Sequence, residues 1–273
     1  MSEIERVTDE DGQERAVFNK MRAVMTIPRW GSTEALIRSV GTLAQLKIPL
    51  FWFGGAYRYE QGMQLAFEGC IDAGIEWVVT LDYDSIFDAG HVQALLSALA
   101  RDPKIDAIAA LQKRRGSDRA LLFCGSKEDI QVTGAPIPAI AAHFGLTVIK
   151  ASLLKSLPME PGAKVPTMFR SVPGPDGGYG DGRIDPDMYF WKVWREAGHT
   201  IAIHPGVRIG HQEEFVGFYN EKMEAKLCYA DQFDAIQRGD DPGEVLDALK
   251  GTDEKKKEGK DDDAENPLAA ALA

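Results

Sequence analysis

The chain has 273 residues, 44% of them hydrophobic, and a formal net charge of −11; that is enough for one large α/β domain with a tail, or two small domains, around a real core. The acidic balance argues against a general nucleic-acid binder, which needs clustered Lys and Arg. No apolar run reaches the roughly 18 residues of a membrane span, and the polar stretch from Met1 to Arg15 does not read as a secretory signal.

Residues 1–20 read as a frayed polar leader. Ala23 to Ile27 is a short apolar run with the look of a buried strand, stopped by the turn Pro28-Arg29-Trp30-Gly31. Leu36, Val40 and Leu43 then recur at helical spacing, and Ile48 to Phe53 reads as a second strand. Met63, Phe67, Cys70 and Ile71 share one face of the next predicted helix, which Gly74 closes. Glu76 to Leu81 reads as a strand, Val92 to Leu99 as an amphipathic helix, and Ile105 to Leu111 as another strand. Strands alternating with helices predict an α/β fold, a mostly parallel central sheet flanked by helices.

The second half is more mixed. Leu146 to Ile149 reads as a strand and Ser152 to Leu157 as a short helix, followed by a long Pro- and Gly-rich stretch over 158–184. Asp185-Pro186 carries an N-cap residue and a first-turn proline, so a helix is expected from there, with Phe190, Val193, Trp194 and Ala197 as its apolar face and Gly198 as its stop. Thr200 to Ile203 and Val207 to Ile209 are two short extended pieces leading to His211. From about Gly239 the charged, low-complexity composition predicts disorder. The expected organisation is therefore a leader over 1–20, one domain over 21–238 and a tail over 239–273. Cys70, Cys124 and Cys228 lie too far apart for a zinc spacing or a disulfide framework, and predict reduced thiols in a cytoplasmic protein.

The strongest chemical signal is Trp77-Val-Val-Thr-Leu-Asp82-Tyr83-Asp84, an apolar strand that runs into two carboxylates. In parallel sheets ligands bind beyond the carboxyl ends of the strands. Two carboxylates so close repel each other unless a cation neutralises them, and hard oxygen ligands suit Mg²⁺ or Mn²⁺. The plain reading is a strand ending in two solvated turn aspartates. A second signal is Asp185-Pro186-Asp187, with Asp187 in a first helical turn where the helix dipole favours a carboxylate. His211 follows a strand and Gly210, whereas His91, His143, His199 and His204 read as ordinary. Lys113-Arg114-Arg115 is the one basic cluster, equally readable as an assisting group or as a solvated loop.

Taken in order, these segments resemble the GT-A glycosyltransferases, the family-2-like enzymes of phages and bacteria in particular. The matching segments are Met25-Thr26-Ile27-Pro28, Leu81-Asp82-Tyr83-Asp84, His143 to Ile149, Asp187 to Phe190 with Ala197-Gly198, and Val207 to His211, together spanning roughly residues 22 to 215. The resemblance implies the GT-A (nucleotide-diphospho-sugar transferase) fold and metal-dependent transfer of a sugar from a nucleoside-diphosphate sugar, UDP- or GDP-linked, to an acceptor hydroxyl. It implies Mn²⁺ or Mg²⁺ held by Asp84 and His211, with Asp82 on the metal or the ribose. It makes Asp187 the base or charge stabiliser on the acceptor side. It also implies a nucleotide pocket starting at Thr26 and Pro28, with Arg29 beside them, Trp30 and Tyr83 as contacts to base or ribose, Arg58 in the helix before the paired aspartates, and Lys113 or Arg114 beside the phosphates.

Two departures stand out. Pro186 occupies the place where the family carries a second acid, so that Asp185 is the compensating candidate, and Arg58 is only approximately in register. The acceptor stays open among modified DNA, protein, glycan and small molecule. A nucleotidyltransferase of the same fold would show a repeated-Gly loop after the first strand, where this chain has the single Gly31. A non-catalytic binding or assembly protein of the same fold is the remaining alternative.

Overall fold

A computed structural model describes residues 4–8, 14–18, 20–27, 33–54, 58–112, 135–173, 183–212, 216–219, 222, 225–241, 243 and 245–247. The chain forms two compact units, Met1–Glu213 and Glu214–Ala273. Residues 28–30, 113–115, Cys124 and 174–182 lie outside the described residues. The expectations placed on Pro28, Arg29, Trp30, Lys113 and Arg114 therefore concern positions without a described structure.

The first unit opens with a finding the polar composition concealed. β1 (Ile4–Thr8) and β2 (Glu14–Phe18) pair antiparallel as a two-stranded ribbon, where a frayed leader was expected. The central sheet is built from β3 (Met21–Ile27), β4 (Leu50–Gly54), β5 (Trp77–Asp82), β6 (Ser85–Ile86), β7 (Ala107–Gln112), β8 (Ile137–Pro138), β9 (Leu146–Lys150) and β10 (Ile201–His211). Its order is β4-β3-β5-β9-β7-β10-β6, with β8 also on β10. β3 pairs in parallel with β4 and β5, and β7 in parallel with β10, while β9 runs antiparallel between β5 and β7. The sheet is thus mixed α/β in character and mostly parallel, with the predicted strand at 146–149 inserted against the common direction.

Helices cover both faces, because the strands alternate their side chains between two apolar cores. On one face Val24, Val78, Ala109 and Ile149 pack beneath α2 (Tyr59–Asp72) and α4 (Pro186–Glu196). On the other Met25, Val79, Leu81 and Val148 pack against residues of α1 (Thr33–Gln45) and α3 (Ala89–Arg101), including Leu43, Leu95 and Leu99. Gly74 at φ +64 and Gly198 at φ +84 close α2 and α4 in the left-handed conformation that glycine adopts without a Cβ penalty. Val40, expected on the buried stripe of α1, is instead exposed.

The first core is aromatic. Phe169 stacks on Phe190 with ring centroids 5.1 Å apart, Phe144 stacks on Trp191 at 5.3 Å, and Phe67 meets Phe190 edge-on at 5.5 Å. Trp191, not assigned to the apolar face in the sequence, is fully buried and donates through Nε1 to the Ala142 carbonyl. Cys70 is a free, buried thiol.

The second unit contains β11 (Val216–Tyr219), β12 (Ala225–Cys228), α5 (Ala230–Arg238) and β13 (Leu246–Asp247). Its sheet is antiparallel in the order β11-β12-β13, and its Cys228 is buried. Ordered pairing therefore passes the expected boundary at 239, since Leu246 lies opposite Leu227 and Asp247 opposite Lys226. Among the described residues no helix is long and apolar enough to cross a membrane. Ending the chain after Gly251 should leave the Tm within a degree or two, whereas ending it after Gly239 removes β13 and should lower the Tm by a few degrees; thermal melts of the two truncations check this.

Candidate functional site

Parallel alignment of β4, β3 and β5 brings three carboxyl ends to one edge of the sheet. Thr26 lies opposite both Phe53 and Asp82 in the ladder. Just beyond them is a pocket of about 220 Å³ lined by Thr26, Ile27, Phe53, Arg58, Tyr59, Gly62, Asp82 and Tyr83. Four residues proposed from the sequence (Thr26, Arg58, Asp82 and Tyr83) therefore line one cavity. Ile27, Phe53, Tyr59 and Gly62 were not singled out. Their common signal is position, at strand ends or in the first turn of α2. Gly62 brings α2 close to β3, since a Cβ there would lie 3.0 Å from the Thr26 Cγ2.

The side chains of the paired aspartates part company. In β5, Asp82 continues the alternation of Val78 and Thr80, toward the face covered by α2 and α4. Tyr59 senses it there. Its phenol is pushed well above its ordinary value by desolvation, and the carboxylates of Asp82 and then Asp187 add to the shift. Asp187 stands in the first turn of α4, and its Oδ1 accepts from the Met188 N–H at 2.7 Å. Burial raises the Asp187 carboxyl above the usual range, the Met188 hydrogen bond opposes this, and the Asp185 carboxylate adds to it. Asp185 is the N-cap residue of α4 by position, but its side chain makes no capping bond and instead pairs with Arg183 Nε at 2.8 Å, in an exposed setting.

Asp84 lies in the turn after β5, and its side chain is only 7% exposed. His211 Nε2 approaches Asp84 Oδ2 to 3.2 Å across 127 residues of sequence. The route is β10, which is a single 11-residue strand where two short pieces were expected. Its register against β7 shifts between His204 and Arg208. Before that bulge Ile201 and Ile203 belong to the aromatic core; after it Val207 and Ile209 belong to the opposite one. The irregularity reverses the alternation, so His211 falls on the α1–α3 side and pairs with Ser85 of β6. Gln212 N–H donates to the Asp84 carbonyl at 2.8 Å, and Gln212 Oε1 accepts from Ala35 N–H of α1 at 3.1 Å.

Two ligands that share one ion at about 2.1 Å each and at a right angle stand about 3 Å apart. The Asp84–His211 separation fits that, and a carboxylate with an imidazole suits Mn²⁺ better than an all-oxygen set does. Among the described residues no group of three or more His, Cys, Asp or Glu side chains is arranged to hold a metal. Asp82 is accordingly not gathered with Asp84 and His211 into one such cluster. Two protein ligands suit a cation whose shell is completed by phosphate oxygens and water.

Behind this pair lies His143, treated as ordinary in the sequence and in fact part of a buried polar cluster. Its Nδ1 accepts from Gly145 N–H at 2.9 Å, which leaves Nε2–H to donate to the Ala110 carbonyl at 2.8 Å. Burial, with His211 as a lesser cause, pulls its pKa down to about 4.

No protein-family model matches the chain, and no curated protein matches it significantly. Among solved structures it is similar to A197 from STIV, at TM-score 0.48 and 13% identity over 84% of this chain and 95% of that one. It is also similar to GalNAc-T7 with UDP, GalNAc and Mn²⁺, at TM-score 0.40 and 12% identity over 76% of this chain and 47% of that one. A third similar structure is the mannosyltransferase PcManGT from Pyrobaculum calidifontis in complex with GDP-Man and Mn²⁺, at TM-score 0.39 and 13% identity over 70% of this chain and 56% of that one. The chain thus spans about half the length of the latter two.

The depressed His143 pKa has a defined stability signature. Stability from the neutral imidazole is fully present above its ordinary 6.5 and is lost as the pH falls through about 4. Between pH 7 and pH 5, His143 should account for a loss of about 2 kcal/mol. Urea unfolding at the two pH values should show a smaller loss in His143→Asn, from a lower starting stability.

Proposed function

We propose that the chain is a metal-dependent glycosyltransferase of GT-A type, moving a sugar from a nucleoside-diphosphate sugar to an acceptor hydroxyl. What carries this reading is the approach of His211 to Asp84 at 3.2 Å across 127 residues of sequence. The pocket beside Asp82 supports it. Thr26, Arg58, Asp82 and Tyr83 would receive the nucleoside and ribose, with Pro28, Arg29 and Trp30 as further contacts and Lys113 or Arg114 beside the diphosphate.

Asp84 and His211 would hold the divalent ion, Mn²⁺ or Mg²⁺. When bound, the ion supplies Lewis-acid neutralisation of charge on the leaving diphosphate. Tyr59 keeps its proton throughout the working pH range, so it can donate a hydrogen bond and does not act as a base. Asp187 serves as base for the acceptor hydroxyl, or as countercharge to an oxocarbenium-like sugar. Its raised pKa makes it a stronger base than an ordinary aspartate. Asp185, exposed and paired with Arg183, is the weaker candidate for that role.

The deciding measurement is hydrolysis and transfer with UDP- and GDP-sugars in the presence of Mn²⁺. Release of diphosphate from a nucleoside triphosphate would indicate a nucleotidyltransferase instead, and inertness with every donor a binding protein. Asp84→Asn should abolish Mn²⁺-dependent binding of UDP and GDP in calorimetry while the fold survives. Asp187→Asn should keep nucleotide binding and lose about 100-fold or more in transfer. The same substitution should raise the Tm at pH 7. A carboxyl with a raised folded pKa loses stability as the pH rises through that pKa, so removing its charge helps there, and the gain should fade as the pH falls toward 3.8 and be gone below it.

A further inference from the structure

The Asp84–His211 contact depends on a very short ladder. β6 has two residues, and it meets β10 only at Gly210 opposite Ile86 and His211 opposite Ser85. Backbone anchors brace it. Ser39 Oγ of α1 donates to the Ser85 carbonyl at 3.4 Å, and Gln212 N–H donates to the Asp84 carbonyl.

A side-chain bond reaches the same strand from further inside the sheet. Gln112 ends β7 opposite Ile209 of β10, and its Nε2 donates to Ser85 Oγ at 3.0 Å. The bond therefore links β7 to β6 past the strand that delivers His211. Gln112 is 1% exposed and Ser85 fully buried. A methionine would fill similar space without a polar group to satisfy, and a buried amide is costly unless its hydrogen bonds are made. Packing alone gives no reason for an amide here.

Room for the bond is kept by Gly145. A Cβ at that position would lie 2.6 Å from Gln112 Oε1, 2.7 Å from Ser85 Oγ and 2.9 Å from His143 Nδ1. Three polar side chains thus converge on the one residue that lacks a side chain, directly behind the strand pairing that joins Asp84 to His211.

We propose that Gln112, acting through Ser85, is a positioning residue that fixes the spacing of Asp84 and His211 and so sets the affinity of that pair for a divalent cation. The proposal rests on the reading of Asp84 and His211 as cation ligands. Gln112 touches neither the cation nor the nucleotide; it holds the strand that presents one ligand to the other.

The test is a Mn²⁺ titration of the full chain with UDP or GDP present, followed by calorimetry and by the electron paramagnetic resonance of free Mn²⁺, at a temperature well below the melting point. Gln112→Met and Ser85→Ala should each raise the Mn²⁺ needed for half-saturation about 10-fold. The double variant should be no worse than either single one, because both delete one bond. Should Gln112→Met fail to fold, Ser85→Ala removes the same bond at the loss of a single oxygen. Wild-type affinity in the folded variants, or additive losses in the double variant, would overturn the proposal. Absence of Mn²⁺-dependent nucleotide binding in the wild type would overturn the glycosyltransferase reading and this proposal with it. That result is distinguishable because it needs no variant.

Discussion

A carboxylate taken out of water must be balanced, and Asp84, with a side chain only 7% exposed, imposes that requirement on the whole sheet edge. The group that comes to it is His211, and much of the topology serves to bring it there. β10 has to be long, because His211 lies at its far end. It has to carry the irregularity between His204 and Arg208, because without that phase reversal the imidazole would face the aromatic core. β6 has to turn back immediately after Tyr83-Asp84 to pair with β10. α1 then fastens the arrangement, through Ser39 to the Ser85 carbonyl and through Ala35 N–H to Gln212.

The two faces of the sheet divide the chemistry between them. On the α2–α4 face Asp82 and Tyr59 line a cavity, and Asp187 stands near enough to raise the Tyr59 phenol further. On the α1–α3 side Asp84, His211, Ser85 and Gln112 form a compact polar group. Tyr83 sits in the turn between the two aspartates. Asp82 ends the strand and Asp84 lies two residues on, in the turn, so the two carboxylates enter different environments. The Asp187 carboxyl illustrates the cost of such a site. Burial that raises its basicity also destabilises its charged form, so the same contact that suits it to proton transfer weakens the fold at neutral pH.

Much of this was legible along the chain. Apolar periodicity marked β3, β5, β7, α2 and α3, because side-chain alternation and helical spacing are local properties of the backbone. Gly74 and Gly198 marked the ends of α2 and α4, because a left-handed residue is a local demand as well. Asp82 and Asp84 stood out because a buried strand running into carboxylates is unusual. The misses have physical reasons. The β1–β2 ribbon hid behind polar composition, since a two-stranded pair needs no continuous apolar stripe. Val40 fits the stripe of α1 by spacing, but whether a helical position is covered depends on its neighbours, and Val40 lies at the margin of the packed face.

What the sequence determined by itself was the identity and order of the elements and the positions where carboxylates meet the end of a strand. What tertiary structure decided was pairing. It set the antiparallel insertion of β9 between β5 and β7, the joining of two short extended pieces into one strand, and the face on which each site residue falls. A histidine 127 residues from its aspartate carries no local sign of that partner. Nor do Gln112, His143 and Gly145 announce a shared buried cluster, because each is ordinary in its own segment. Contacts between strand ends depend on sheet order and register, which are set by the packing of distant segments against one another and only weakly by the residues at the ends themselves.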